Sequence, residues 1–280
     1  MSDVLRRFFR NRGSLFGTLA LAGVVAVAIA APLFYDHSPW NMVGRPLIRA
    51  FTNPSYPFGT DMLGRDIGAG LAYGARVSIC ISLVATVVAV IIGIGVGALA
   101  GYYGGRLDDL LMRVTEFFQT VPQLAMAIVV VAIFTPSIYS IVGAIALVSW
   151  PPVARLVRGE FLSLREREFI QAAIVIGLRP CQIIFRQILP NAMSPIIVTG
   201  SLMVATAILT ESSLSFLGLG DRTLMSWGFM IGASRTMLRE APMMSILPGV
   251  AILVTVLAFN LIGEGLNDAL NPQLRKREGA

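Results

Sequence analysis

The 280-residue sequence is nearly devoid of lysine and histidine: Lys276 and His37 are the only examples. A phosphate-cradling P-loop needs a lysine within GxxxxGK[S/T], and no such string occurs. That route to nucleotide hydrolysis is therefore closed to this chain. One histidine cannot furnish a His-rich metal centre, and it leaves His-based catalytic triads almost nothing to work with. His37 reads as an ordinary exposed loop residue. Cysteine is scarce too. Cys80 lies in an apolar run and Cys181 in a polar stretch, so a disulfide between them is not expected. Cys80 reads as a small buried apolar side chain. Charge is the remaining deficit: 14% of residues are charged and 55% are hydrophobic, where a soluble domain carries about 25% charged residues. A chain of this make-up is an integral membrane protein. Lys+Arg number 22 against 16 Asp+Glu. No basic–aromatic interleaving accompanies the excess, so it reads as an orientation signal rather than a nucleic-acid footprint.

What is present is a series of apolar runs. Six spans are expected at about 14–34, 77–101, 121–135, 138–157, 193–219 and 245–262, giving an all-α membrane protein. A 1–13 N-terminus precedes them and a 265–280 tail follows. The first run, after Arg6, Arg7, Arg10 and Arg12, has the make-up of a signal peptide as well. It is long enough to span, and it is read as the first transmembrane helix with its N-terminus inside. The third run is short and needs its flanks. The fourth is interrupted by Trp150-Pro151-Pro152, which a membrane helix tolerates when neighbours satisfy the freed carbonyls. In the second, Gly93, Gly97 and Gly101 recur every four residues, a spacing that lets a neighbouring helix approach closely.

The connections carry the rest. Residues 35–75 are Pro/Gly-rich, and the string from Phe58 to Ile79 that begins within them carries Asp61, Arg65, Asp66 and Arg76. Two carboxylates alone make a poor metal site, and Asp–Arg pairing with turn capping is the expected role. Residues 102–120 form an amphipathic connector. Trp227, in the polar stretch 220–245, is an interfacial anchor candidate. Of the Arg and Lys residues, four fall in the N-terminus, two in 102–120, six in 155–192 and three in the tail, fifteen in all. Seven fall in 35–76 and 220–245. That asymmetry puts both termini and the 158–192 loop inside the cell. Glu211 is the clear carboxylate within a span. It is either a pathway-lining residue or a structural hydrogen-bonding group between helices.

The 158–192 loop is a polar-to-amphipathic island. Phe169, Ala172, Ala173 and Ile176 share one helical face at i, i+3, i+4 and i+7. Gly177 breaks the helix, Pro180 opens a second short one, and Leu189-Pro190 is expected to end it. Ala172-Ala173, three residues, Gly177, then Leu189-Pro190 resembles the "EAA" loop of ABC-importer membrane subunits, with Gln171 where that loop usually has Glu. FGTDMLGRDIGAGLAYGARVSI (Phe58 to Ile79), ESSLSFLGLG (Glu211 to Gly220), SWG (Ser226 to Gly228) and FNLIGEGLNDALNP (Phe259 to Pro272) are similar to the dipeptide/oligopeptide/nickel subfamily of those permeases, over nearly the whole chain. DRTLM stands where the subfamily has a Pro-rich stretch before Ser-Trp-Gly.

The resemblance implies a type I ABC-importer permease fold in the bacterial cytoplasmic (inner) membrane. It implies coupling to ATPases through Glu168, Phe169, Gln171, Ala172, Ala173, Gly177, Leu189 and Pro190. It further implies a second related permease subunit, two cytoplasmic ATPases and an extracytoplasmic solute-binding protein. No cofactor or metal is expected in this chain, ATP and Mg being held by the partner subunits, and no enzymatic activity of its own. Peptides are the default solute, with nickel chelates, opines and glutathione as alternatives. Two other classes compete: an ion-coupled secondary transporter, for which no internal repeat is seen, and a membrane scaffold without a pathway.

Overall fold

Helices form where the apolar runs lie, because a segment in lipid must satisfy every backbone group within itself. A computed structural model describes residues 2–270, so 271–280, with Lys276 and most of the expected tail, lie outside the described residues. In chain order the helices are α1 (Ser2–Arg10), α2 (Arg12–Phe34), α3 (Ile67–Tyr103), α4 (Gly105–Thr120), α5 (Gln123–Ile133), α6 (Ile138–Arg165), α7 (Glu168–Val175), α8 (Pro180–Gln182), α9 (Leu189–Phe216), α10 (Trp227–Ser234) and α11 (Met243–Leu270). Among the described residues α2, α3, α6, α11 and the combined Pro180–Phe216 segment are long and apolar enough to cross a membrane. A sixth crossing requires α4 and α5 together, and these meet at 90°.

Several boundaries differ from the sequence expectation. The expected third span, 121–135, contains a helix of 11 residues, about 16 Å long at the usual rise, roughly half a bilayer core. Pro122 precedes it and Phe134 ends it in extended backbone. The expected connector 102–120 is itself helical, as α4. Helix α3 starts ten residues before the expected 77, because Asp66 caps it: its carboxylate accepts from the Gly68 N–H at 2.8 Å.

Helix α3 packs along α6 through its glycines. A Cβ at Gly93 would lie 2.5 Å from Val153 Cβ, one at Gly97 2.4 Å from the Ala154 carbonyl oxygen, and one at Gly101 2.6 Å from Phe161 Cβ. Those separations are closer than any methyl group allows, so the seam depends on glycine at each position. A Gly97→Val chain is expected to lose most of its folded yield. Gly95→Val, where a Cβ meets nothing within 4 Å, should be tolerated. Size-exclusion profiles of the two tagged chains in detergent check this: equal monodisperse yields would mean the seam can part without cost.

The prolines inside helices leave carbonyls without a partner. For Pro32 in α2 the freed group is the Ala28 carbonyl, four residues back. Arg76 supplies the donor. Its Nε donates to Ala28 O and its Nη2 to Ile29 O at 3.0 Å. Arg76 thereby clamps the end of the first span to α3.

The 35–66 connection folds over the start of α3. The Asp61 carboxylate accepts from the N–H groups of Leu63 and Arg65 at 2.8 Å and from Arg65 Nε at 2.5 Å. The Arg65 guanidinium lies 5.2 Å from the centre of the Trp40 ring and 6.0 Å from that of Phe229, tying the connection to α10. Asp61 and Asp66 are thus a pairing group and a cap, and no cluster of potential metal ligands exists among the described residues. His37 is not the freely exposed residue the sequence suggests. Its Nε2 is buried 3.7 Å from Asp66 Oδ2. Burial raises the Asp66 pKa, opposed by the N–H groups of Gly68 and Ala69 and by His37.

Cys80 is likewise exposed rather than buried. It opens onto a mainly apolar groove lined by Val77, Ile81, Val84, Ile138 and Val142, with Arg76 in its wall. A cysteine on the lipid side of a helix costs little, so composition could not tell the two faces apart.

Candidate functional sites: the 166–190 loop and the Glu211 hydroxyl cage

The 166–190 loop lies at one end of α3 and α6, while the 35–66 connection and α10 lie at the other. Helix α7 turns one stripe inward. Ile170 (0% exposed) and Ala173 (6%) pack with Ile183, Ile184 and Ile188 of the following segment and with Val157 and Phe161 of α6. The helix ends in a Schellman turn. Gly177 takes φ +83°, its N–H reaches Ile174 O at 2.9 Å, and the Leu178 N–H reaches Ala173 O at 3.1 Å. Arg179 then caps a new helix with Pro180 in its first turn.

Leu189-Pro190 does not end that helix. Residues 183–188 wind as a π-helical segment, the Leu189 N–H bonding to Ile184 O, and run on into α9. Pro190 has no N–H to give Arg186 O, and a widened turn just before it accommodates the loss. Leu189 packs against the inner cluster and Pro190 is exposed.

The sequence places Phe169, Ala172, Ala173 and Ile176 on one face, and the structure divides them. Ala173 is core. Phe169 (45% exposed), Ala172 and Ile176 (78%) face outward, joined by Val175 at 87%. Consecutive helical residues are about 100° apart, so the two alanines straddle the boundary between buried and free surface. An Ala173→Asp change would therefore damage the loop's own core before it tested any docking. Val175 was missed because it falls outside the i, i+3, i+4, i+7 set. Glu168 sits exposed in the first turn of α7. Gln171 Nε2 donates to Arg165 O, the end of α6, at 2.9 Å. A carboxylate cannot make that bond, so glutamine at this position ties α7 to α6. Behind the loop, Arg158 forks onto Asp108 of α4 at 2.5 and 2.6 Å.

Glu211 sits near the opposite end of α9, 0% exposed. Its Oε1 accepts from Ser215 Oγ at 2.8 Å, and its Oε2 from Ser78 Oγ at 3.1 Å and Ser212 Oγ at 3.4 Å. Ser78 Oγ in turn accepts from the Trp227 N–H at 3.2 Å, and Trp227 Nε1 donates to Leu71 O at 2.9 Å. Ser226 caps α10, and a Cβ on Gly228 would stand 2.6 Å from Ser212 Cα. Three separated strings, around Ser78, Glu211 and Trp227, thus meet in one polar knot joining α3, α9 and α10. Of the two roles open to Glu211, these hydrogen bonds support the structural one. Trp227 is 1% exposed, a buried strut rather than an interfacial anchor. The serines were missed because nothing in the sequence aligns residues 133 and 149 positions apart.

Comparison with known proteins is decisive at this point. Residues 93–276 match the family described as binding-protein-dependent transport system inner membrane component, and residues 1–49 match the N-terminal TM domain of oligopeptide transport permease C. The chain belongs to this permease family. It is 39% identical to the dipeptide transport system permease protein DppC of Alkalihalophilus pseudofirmus, covering 98% of this chain and 90% of that one. It is 38% identical to the oligopeptide transport system permease protein OppC of Bacillus subtilis, with the same coverage. It is 37% identical to the glutathione transport system permease protein GsiD of Pectobacterium atrosepticum, over 96% and 90%. In fold it is similar to the MetNI methionine ABC transporter in inward-facing conformations, with TM-score 0.59 and 16% identity over 72% of this chain and 96% of that one. The chain is accordingly a transmembrane permease subunit of an ABC importer with the type I fold, a class that works with separate ATPase and solute-binding components.

Proposed function

We propose that this chain forms half of the translocation pathway for peptides or a closely related solute, paired with a second, related permease subunit. One ATPase docks on the outward face of α7, and an extracytoplasmic binding protein delivers solute at the opposite end. The termini lie in the cytoplasm, as the arginine asymmetry favours. ATP and Mg are bound by the partner ATPases, and this chain performs no chemistry of its own.

The observation that carries the reading is the apolar surface of α7. Phe169, Ala172, Val175 and Ile176 are exposed at the arginine-rich end of the molecule, the end read here as cytoplasmic, where an apolar patch calls for a protein partner. Ile170 and Ala173 pin the same helix to α6 and α9, so force on the outer face reaches two spans as a rigid-body push. The names of the relatives in the comparison support peptides or glutathione as solutes.

The test is uptake in proteoliposomes holding all subunits, with Val175→Asp as the probe. Val175 is 87% exposed, so the chain should insert and fold normally. Retention of the ATPase on purification should fall, and uptake should drop roughly tenfold, as for loss of about 1.4 kcal/mol at an interface. Full retention with full uptake would remove α7 as the docking helix.

A further inference from the structure

Helix α1 does not run straight into the first span. Asn11 interrupts it in extended backbone (φ −76°, ψ 118°) and caps α2, its Oδ1 accepting from the Gly13 N–H at 2.8 Å. Ser14 Oγ then donates back to the Phe8 carbonyl. Six residues of straight helix rise about 9 Å, so the chain bends sharply at Asn11. The bend is fixed to α11. A Cβ on Gly265 would touch both Ser14 and the Phe8 ring, and Asn11 Nδ2 donates to Asp268 Oδ2 at 2.9 Å. Helix α1 is thus folded across the end of α11 instead of continuing along it.

The depth of that crossing follows from α11 itself. From Met243 to Gly265 the helix rises about 33 Å, roughly one hydrocarbon core. The crossing therefore sits where acyl chains give way to headgroups. Around α1 the faces differ. Phe8 turns toward α11, whereas Leu5 and Phe9, at i and i+4, are exposed. Arg6, about 100° around the helix from Leu5, is exposed too, as is Arg12 beyond the bend. With Arg7 and Arg10, residues 2–12 carry four arginines against a single carboxylate, Asp3. Phe16 and Leu19 of α2, both exposed, begin the lipid-facing surface of the span just past the bend. An apolar edge beside a basic one, on a helix held at this depth, is the make-up of a helix that lies in the membrane interface.

We propose that α1 is an interfacial anchor that binds anionic phospholipids of the inner leaflet. Leu5 and Phe9 enter the acyl region, and Arg6 and Arg12 hold the phosphate groups above it. Because Phe8 and Asn11 fix the bend to α11, lipid bound by α1 also braces the inner end of the last span. An acidic protein surface would answer the arginines, but it leaves unexplained why Leu5 and Phe9 stand beside them where acyl chains begin. The inference rests on the orientation proposed above, with the N-terminus inside, and is independent of which solute is carried.

The test uses the assembled complex in proteoliposomes, with the exposed Cys80 and Cys181 replaced by serine and a bimane fluorophore attached to Leu5→Cys. Matched phosphatidylcholine vesicles contain equal mole fractions of phosphatidylglycerol or phosphatidylcholine with spin-labelled acyl chains. The phosphatidylglycerol probe should quench bimane at least ~3-fold more strongly than the phosphatidylcholine probe, since each arginine near the surface adds to the attraction for anionic lipid. Arg6→Gln with Arg12→Gln, or high salt, should bring that ratio down to about one. Arg6→Lys with Arg12→Lys should keep it, which isolates charge from side-chain shape. Equal quenching by the two probes with both arginines in place would overturn the anionic site. Quenching by neither, with the bimane shielded from aqueous iodide, would place protein over this face and overturn the lipid anchor. Orientation is read separately. In the same cysteine-free background, Arg12→Cys should react with an impermeant thiol reagent in inside-out vesicles and not in right-side-out ones. The reverse would overturn the orientation, and with it the inner-leaflet assignment.

Discussion

Glu211→Ala should strongly destabilise the folded chain. The side chain is fully buried and takes hydrogen bonds from Ser78, Ser212 and Ser215. Removing it leaves three hydroxyls in apolar surroundings without their acceptor, at about 1–3 kcal/mol for each that finds no other. It also opens a void where three helices meet, which packed surroundings only partly close. The combined loss, on the order of 3–6 kcal/mol, is comparable to the whole stability of many domains. Trp227 reports the event directly, because its backbone N–H bonds to Ser78 Oγ and its ring is 1% exposed. Detergent-solubilised Glu211→Ala should show a red-shifted tryptophan emission and a melting temperature lower by well over 10 °C. Glu211→Gln separates shape from chemistry. It keeps the volume and one acceptor oxygen but turns an N–H₂ group toward serine hydroxyls that were donating, so it should fall between the two. A Glu211→Ala chain that melts like the unaltered one would show that the knot contributes nothing.

The parts of the molecule that follow from local pattern were legible in the sequence. Apolar length located five helices long enough to cross a membrane, though not the short α5 or the early start of α3, and the four-residue glycine spacing marked a close helix approach whose partner, α6, it did not name. The Asp–Arg–Asp string gave the pairing and capping now seen at Asp61, Arg65 and Asp66. Each depends on residues within a few turns of one another. What was not legible depends on where distant helices come to rest. Glu211 was visible as a costly group needing a partner, yet its partners Ser78 and Trp227 carry no mark of their own. The Arg76 clamp is of the same kind: Pro32 announces a freed carbonyl, but the donor comes from a helix 48 residues away from Ala28. The loop was misread at finer scale. Its helix is apolar on nearly every side, so periodicity could not say which stripe was core, and Ala173 went to the wrong side. The turn at Leu189-Pro190 was misread because a proline that usually stops a helix can be absorbed by one widened turn.

Gly177→Val should uncouple the transporter while leaving the membrane spans intact. Gly177 holds φ +83°, and a Cβ there would meet nothing within 4 Å. The penalty is therefore wholly in the valine backbone, on the order of 1–3 kcal/mol for a β-branched residue held at positive φ. Nothing nearby must move to admit the side chain, so insertion and the α3–α6 seam are unaffected. The strain is relieved only by opening the turn, which breaks the Leu178 N–H to Ala173 O bond and lifts Ile170 and Ala173 from Ile183, Ile184 and Ile188. Helix α7 then no longer presents Phe169, Ala172, Val175 and Ile176 in a fixed direction. Uptake and solute-stimulated ATP hydrolysis by the assembled complex should both fall about tenfold or more, at 1.4 kcal/mol per decade, with the melting temperature of the isolated chain little changed. Asparagine tolerates the left-handed region far better than valine, so Gly177→Asn should retain most of the uptake. That contrast isolates backbone conformation from side-chain bulk. If the valine and asparagine variants transported equally well, the turn would not be what aims α7, and the route from ATPase to spans would have to run elsewhere, with the Arg158–Asp108 fork as the next contact to break.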